Sequence, residues 1–171
     1  MGQRLNIEIL ENGIVLANCY YHWAGYTSSS LNLTKEILDS EILTDKFLLA
    51  IPDKVAFAVA LLRETGADNM DRNNGLIRTT EKEMQDTRGW QEAGVYIDIG
   101  TESITFDNFY HLSDEDIIEQ ELNLDSINTV RFELEHCTFK EFEYYYKTII
   151  DFINTSVYTL QTPTGIVRFI E

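Results

Sequence analysis

The sequence predicts an α+β domain: a mainly antiparallel sheet built from hairpins and packed by three or four helices. Two patterns carry that reading. Apolar residues alternate with polar ones in paired segments joined by turn residues, the signature of half-buried strands. Between those pairs lie segments with helical periodicity and capping residues at their starts. The 171 residues are 44% apolar, enough for one core and short for two. No repeat, low-complexity tract or Pro/Ser-rich linker interrupts the chain, so a single domain over 1–171 is expected.

In order, "RLNIEIL" alternates Leu5, Ile7 and Ile9 against Asn6 and Glu8. "ENG" follows, and Asn-Gly tolerates the positive φ of a tight hairpin. "IVLANCYY" returns as the second strand. Thr27 or Ser28 can cap a helix whose positions Leu31, Thr34, Ile37, Leu38 and Ile42 recur at helical spacing. A second helix fits Pro52 to Arg63, with Pro52 in its first turn and Gly66 past its end; its middle is apolar all round and is expected to be buried. Asp68 to Gly75 reads as a polar, mobile loop. "LIRTTEKEMQDTRGW" can hold a short strand, then a short helix capped by Thr79 or Thr80 with Glu83 in the capping-box position.

"AGVYIDIGTESITFDNF" reads as a further hairpin. Ser113 with Asp116 signals a short acidic helix, and "TVRFELEHC" alternates as a strand. Thr138 and Glu141 form a capping box for a helix with the aromatic face Phe142, Tyr145, Tyr146, Ile149 and Phe152. "VYTLQTPTGIVRFI" closes the chain as a last hairpin.

The start, "MGQRLNIEIL", is not a signal peptide, because Arg4, Asn6 and Glu8 break any apolar run. Asn6 stands where a myristoylation motif wants a hydroxyl. "VAFAVALL" is far too short to span a bilayer. Cys19 and Cys137 form no C-x-x-C pair or disulfide framework. A soluble protein of the reducing cytoplasm is expected.

Most familiar chemistry is missing. There is no phosphate-binding glycine loop and no G-x-S-x-G elbow. Cys19, His22, His136 and Cys137 can be drawn as a zinc set or a Cys-His nucleophile pair. However, residues three apart or adjacent on a strand point to opposite faces. Neither metal nor cofactor is expected, and no catalytic constellation supports an enzyme.

The stretch "YYHWAGYTSSS" is the densest in ring chemistry. Tyr20, His22, Trp23 and Tyr26, beside a helix N-terminus, could stack a nucleotide, with Arg72, Arg78 and Arg88 facing its phosphates. The plainer reading has Trp23 packed in the interior and His22 hydrogen-bonded, and composition favours it.

"MGQRLNIEI" followed by "YYHWAGYTSSSL" resembles a family of small bacteriophage and prophage proteins. They open with a Met-Gly-x-Arg strand and carry a Tyr-x-His-Trp-Asp-Gly-Tyr signature before a helix. The resemblance covers about the first forty residues, and Ala24 stands where the family has Asp. It implies a phage or prophage source rather than an activity.

Charge supplies the last observation. Asp and Glu outnumber Lys and Arg 29 to 13, for a net charge of -16. Between Asp107 and Glu143, eleven carboxylates face only Arg131 and Lys140. Asp114, Glu115, Asp116, Glu119, Glu121 and Asp125 are dense enough to imitate the charge spacing of a phosphate backbone. A field of this sign repels nucleic acid and anionic membranes and attracts cationic protein surfaces. The expected function is therefore inhibition of a nucleic-acid-binding defence protein by mimicry, as in anti-CRISPR DNA mimics. A nucleotide sponge built on the aromatic stretch is the alternative.

Overall fold

A computed structural model describes residues 4–24, 29–45, 52–68, 75–107, 136–144 and 146, together with the backbone of 27–28, 157–162 and 165–170. The fold is α+β, with a six-stranded, mostly antiparallel, open sheet and five helices among the described residues.

Strands β1 (Leu5–Glu11) and β2 (Ile14–Tyr21) pair across the Asn12-Gly13 turn, whose φ values are 52° and 84°. This is the turn that Asn-Gly demands. Helices α1 (Thr27–Leu38), α2 (Glu41–Thr44) and α3 (Lys54–Arg63) follow. Then come β3 (Leu76–Arg78), α4 (Glu81–Arg88), β4 (Ala93–Asp98), β5 (Ser103–Asp107) and β6 (His136–Thr138). A helix, α5, covers 139–144. Strands β7 (Val157–Thr162) and β8 (Gly165–Ile170) pair with each other in a separate two-stranded sheet.

The six-stranded sheet runs β3-β2-β1-β4-β5-β6. Every pairing is antiparallel except β1 with β4, which run parallel with Ile7 opposite Val95. The parallel pair arises because β4 arrives from β3 through α4 rather than through a hairpin. Strands β3 and β4 flank β2 and β1, so α4 crosses above that central pair.

Alternation sorts the sheet into two unlike faces. Leu5, Ile7, Ile9, Ala17, Cys19, Tyr21, Ile77, Val95, Ile97, Ile104, Phe106 and Cys137 are buried on one. Leu31 and Ile37 of α1, Phe57, Ala58, Leu61 and Leu62 of α3, and Phe142 of α5 close over it. Full burial of a Val, Leu, Ile or Phe side chain among these is worth about 1.5–3 kcal/mol.

Several sequence expectations are corrected here. Helix α3 begins after Pro52, with Asp53 as its cap accepting from the Ala56 N–H at 3.0 Å. Its burial is one-sided: Val55 is exposed. Ile42 lies not on α1 but on α2, which Ser40 caps anew. Thr80, not Thr79, caps α4 and receives the Glu83 N–H at 3.4 Å. The reciprocal box at Thr138 and Glu141 forms at 3.0 and 3.1 Å. Of "TVRFELEHC", only 136–137 lie within the described residues. The acidic helix after Ser113 and positions 69–74 of the loop lie outside them. The loop's ends are tied, since the Asp68 N–H donates to the Gly75 carbonyl at 3.1 Å. Gly75 sits at φ +114°, where a Cβ would fall 2.7 Å from the Ala67 methyl and the Tyr21 ring. Only glycine fits there.

The other face is polar, and α4 lies on it. Glu8 is 2% exposed, and its carboxylate accepts a two-pronged fork from Arg88: Nε at 2.8 Å and Nη2 at 2.9 Å. Asn6 Nδ2 donates to the Thr87 carbonyl at 2.9 Å and to Gln91 Oε1 at 3.1 Å. Asn18 Nδ2 donates to Thr87 Oγ1 at 3.2 Å. The Oδ1 atoms of Asn6 and Asn18 are buried with no partner among the described residues. Unmet polar atoms are costly, so this network specifies where α4 sits more than it stabilises the fold.

Asp98 joins the two turns at one end of the sheet. Its carboxylate accepts the N–H groups of Asn12 (2.9 Å), Gly13 (2.8 Å), Gly100 (2.9 Å) and Thr101 (3.1 Å). Desolvation pushes its pKa up, but these backbone donors outweigh it and hold the pKa below the ordinary value.

Two predictions follow from these groups. Arg88→Met strands a buried carboxylate and should cost about 3–4 kcal/mol. Glu8→Gln, which leaves Arg88 free to keep Glu81 and solvent, should cost about 1–2 kcal/mol. Glu8→Leu combined with Arg88→Met should be less destabilised than Arg88→Met alone, as read by urea denaturation. Asp98 has a folded pKa below its unfolded value, so its contribution is complete above about pH 4 and is lost as pH falls through the folded value. Asp98→Asn should therefore be less stable at neutral pH and lose less stability than wild type on acidification, as measured by thermal melting across pH.

Candidate functional site

At Tyr21 strand β2 stops, and His22–Trp23 form a bend. The strand rule that pairs Tyr21 with Trp23 on one face ends there too. Tyr21 turns into the core, 2% exposed, with its hydroxyl 2.6 Å from Thr65 Oγ1. Trp23 turns outward and is 54% exposed, which corrects its expected packing in the interior.

Tyr20 lies on the polar face, opposite Asn6 of β1, and is buried. What buries it includes Trp90, in the turn after α4, whose ring meets Tyr20 edge-on with centroids 5.6 Å apart. The Tyr20 hydroxyl lies 2.9 Å from His22 Nδ1. His22 in turn meets Trp23 edge-on at 4.8 Å. The rings thus form a chain, Trp90–Tyr20–His22–Trp23, with a half-exposed tryptophan at each end; Trp90 is 50% exposed. These are the only two tryptophans in the protein. Edge-to-face geometry of this kind adds about 0.5–1.5 kcal/mol per pair beyond burial.

The structure therefore brings together Tyr20, His22 and Trp23 and adds Trp90, which the sequence reading missed. A signal was present: "EKEMQDTRGWQEA" is polar except for Met84 and this ring, and α4 has nothing apolar to cover it. Tyr26 and Arg72 lie outside the described residues, as do Asp114, Glu115, Asp116, Glu119, Glu121 and Asp125.

Two of the three arginines expected to face a phosphate are otherwise engaged. Arg78, on β3 opposite Asn18, pairs with Glu83 at 3.6 Å. Arg88 pairs with Glu8 and with Glu81 at 3.3 Å. Arg4 pairs with Glu92, two residues past Trp90, at 3.4 Å. A phosphate drawing on Arg78 or Arg88 would have to displace carboxylates already in contact.

The thiols are poor nucleophiles. Burial pushes Cys19 up to about 12, against a hydrogen bond to Tyr21 that lowers it. Burial likewise pushes Cys137 up to about 12, aided by the Glu141 charge. Neither is ionised near neutral pH. His136 lies on the opposite face from Cys137, with Nδ1 3.0 Å from Thr105 Oγ1. Among the described residues no group of three or more His, Cys, Asp or Glu is placed to hold a metal ion. An open groove of about 490 Å³ lies on the polar face beyond α4, lined by Tyr96, Asp98, Ser103, Thr105 and His136 among others. The Asp98 carboxylate there is already committed to its four backbone donors.

Among the described residues no helix is long and apolar enough to cross a membrane. Comparisons with protein-family models, with curated proteins and with solved structures find no match for this chain.

The exposure of the two tryptophans sets a test. Trp23→Ala should cost about 1–2 kcal/mol, well under the 3–5 of a buried ring. Denaturant titration measures it, and acrylamide should quench the emission of both single-tryptophan variants, Trp23→Phe and Trp90→Phe.

Proposed function

We propose that this chain is a phage-type, non-enzymatic binding protein of the host cytoplasm that occupies the cationic groove of a nucleic-acid-binding defence protein. The observation behind this reading is the state of the charges. The chain carries -16 overall. Five of the eight cations with described side chains, Arg4, Lys35, Lys54, Arg78 and Arg88, are each already paired with a carboxylate. Among the described residues most of the positive charge is thus already spent on carboxylates, while the net excess is negative. Such a surface is steered toward cationic partners and away from nucleic acid. The acidic residues from Asp114 to Asp125 supply the densest part of that excess.

The nucleotide-sponge alternative keeps one supporting observation, the gathering of Tyr20, His22 and Trp23 into one ring cluster. Of the arginines named for it, Arg78 and Arg88 are held by carboxylates, and Arg72 lies outside the described residues.

Competition decides between the two. Added to a defence nuclease bound to labelled nucleic acid, the protein should release the nucleic acid in a gel-shift assay. Changing Asp114, Glu115, Asp116, Glu119 and Glu121 to Asn and Gln should leave stability within about 0.5 kcal/mol per site. It should weaken the competition and flatten its salt dependence. Retention of nucleic acid at saturating protein, or equal competition by the neutralised variant, would overturn the mimic reading.

A further inference from the structure

We infer that the Trp90–Tyr20–His22–Trp23 chain is an arginine-binding anchor, the place where the cationic partner's side chains are held by ring faces rather than by carboxylates. This deepens the proposed function and rests on it.

The rings are built into position. Tyr20 is fixed on the sheet beside Asn6, and Trp90 is fixed over it by α4, whose place is set by the Glu8–Arg88 fork. His22 is fixed by the Tyr20 hydroxyl and backs Trp23. The two outer tryptophans nevertheless stay half exposed. Half-exposed aromatic rings on a rigid base are the usual composition of an interface anchor, and the chain uses both its tryptophans here.

Charge complementarity identifies the occupant. An indole face carries the negative lobe of its quadrupole, and tryptophan is the best side-chain partner for a cation. Among the described residues Arg4, Arg78 and Arg88 are held by Glu92, Glu83, Glu8 and Glu81 rather than by these rings. Asp86, exposed on α4 one turn before Trp90, has no ion-pair partner among the described residues and adds negative potential; Lys82 lies one turn further back. A guanidinium can stack flat on indole and still present its N–H groups to a carboxylate, whereas an ammonium stays hydrated and gains less. The site should therefore prefer arginine to lysine at equal charge.

The test uses the full chain and two homopeptides of equal length, one of arginine and one of lysine. Binding is followed by tryptophan emission, which reports only on this cluster, and by anisotropy of labelled peptide. The wild type should bind the arginine peptide about fivefold more tightly than the lysine peptide. Trp23→Ala and Trp90→Ala should each reduce that ratio toward one while leaving the salt-dependent binding of both peptides in place. Trp23→Phe and Trp90→Phe, which keep a ring, should retain part of the ratio, so a loss caused by misfolding is told apart from a loss of the ring. The variant neutralised between Asp114 and Glu121 should bind both peptides more weakly and keep the ratio.

An unchanged ratio in both alanine variants would overturn the anchor and leave the acidic mimic standing. Binding of neither peptide at low salt would overturn the mimic reading itself. Quenching by a mononucleotide but not by the arginine peptide would assign the rings to a base and overturn the inference.

Discussion

The contact on which the rest depends is the fork between Glu8 and Arg88. A carboxylate in the middle of a central strand, 2% exposed, has no place in an ordinary sheet unless a cation comes to it. Arg88 comes from the last turn of α4 and meets both carboxylate oxygens. That requirement fixes the helix over β1 and β2, and the two asparagines at Asn6 and Asn18 then read its end through Thr87. Apolar side chains at these three positions would let the helix slide. Directional polar groups do not, and they extract a penalty for any other seat. The chain ends α4 at Gly89, and the next residue is Trp90. The seat chosen by the fork is therefore also what lays Trp90 against Tyr20.

Much of the fold was legible locally. Alternation in "RLNIEIL" and "AGVYIDIG", the Asn-Gly turn, the Thr80 cap and the Thr138–Glu141 box each depend on residues within a few positions of one another, and each stands where the pattern put it. What was not legible depends on distance. The parallel pairing of β1 with β4 joins residues nearly ninety positions apart, and no local pattern distinguishes it from a hairpin neighbour. Glu8 looked like a solvent-facing residue of an alternating strand because its partner lies 80 positions away. Trp23 was expected inside as a large ring, but it stands past the end of β2, where strand alternation no longer says which way a side chain points. That position also hid the cluster: a ring that leaves the strand can meet a ring from another element, and only the crossover of α4 says which.

The cations show how an acidic chain manages its charge. Arg4, Arg78 and Arg88 each spend their charge on a carboxylate of their own fold. Lys35 and Lys54 do the same elsewhere, to Asp39 and Glu11. Exposed pairs of this kind add little stability, about 0–1 kcal/mol each. Their larger effect is on the outer field. A paired cation no longer offers a landing point for phosphate, so the surplus carboxylates act with fewer local exceptions. Charge mimicry of nucleic acid needs that uniformity more than it needs any particular carboxylate position.

Two half-exposed tryptophans on one small surface are ordinarily a hazard, because such patches drive self-association. Here the same net charge that, on the proposed function, would draw a cationic partner also works against contact between copies of the chain, since any pair that meets brings two like fields together. The rings and the charge therefore constrain each other. Without the charge, the rings would favour contact with a second copy. Without the rings, the charge would attract every cationic surface alike, with affinity that fades with salt and little basis for choosing among them. On the proposed function the two would act in sequence: long-range attraction would bring a basic partner near, and short-range contact with Trp23 and Trp90 would reward only those partners that present a planar cation at the right place. Selectivity would then reside in a few aromatic atoms, and reach in many carboxylates.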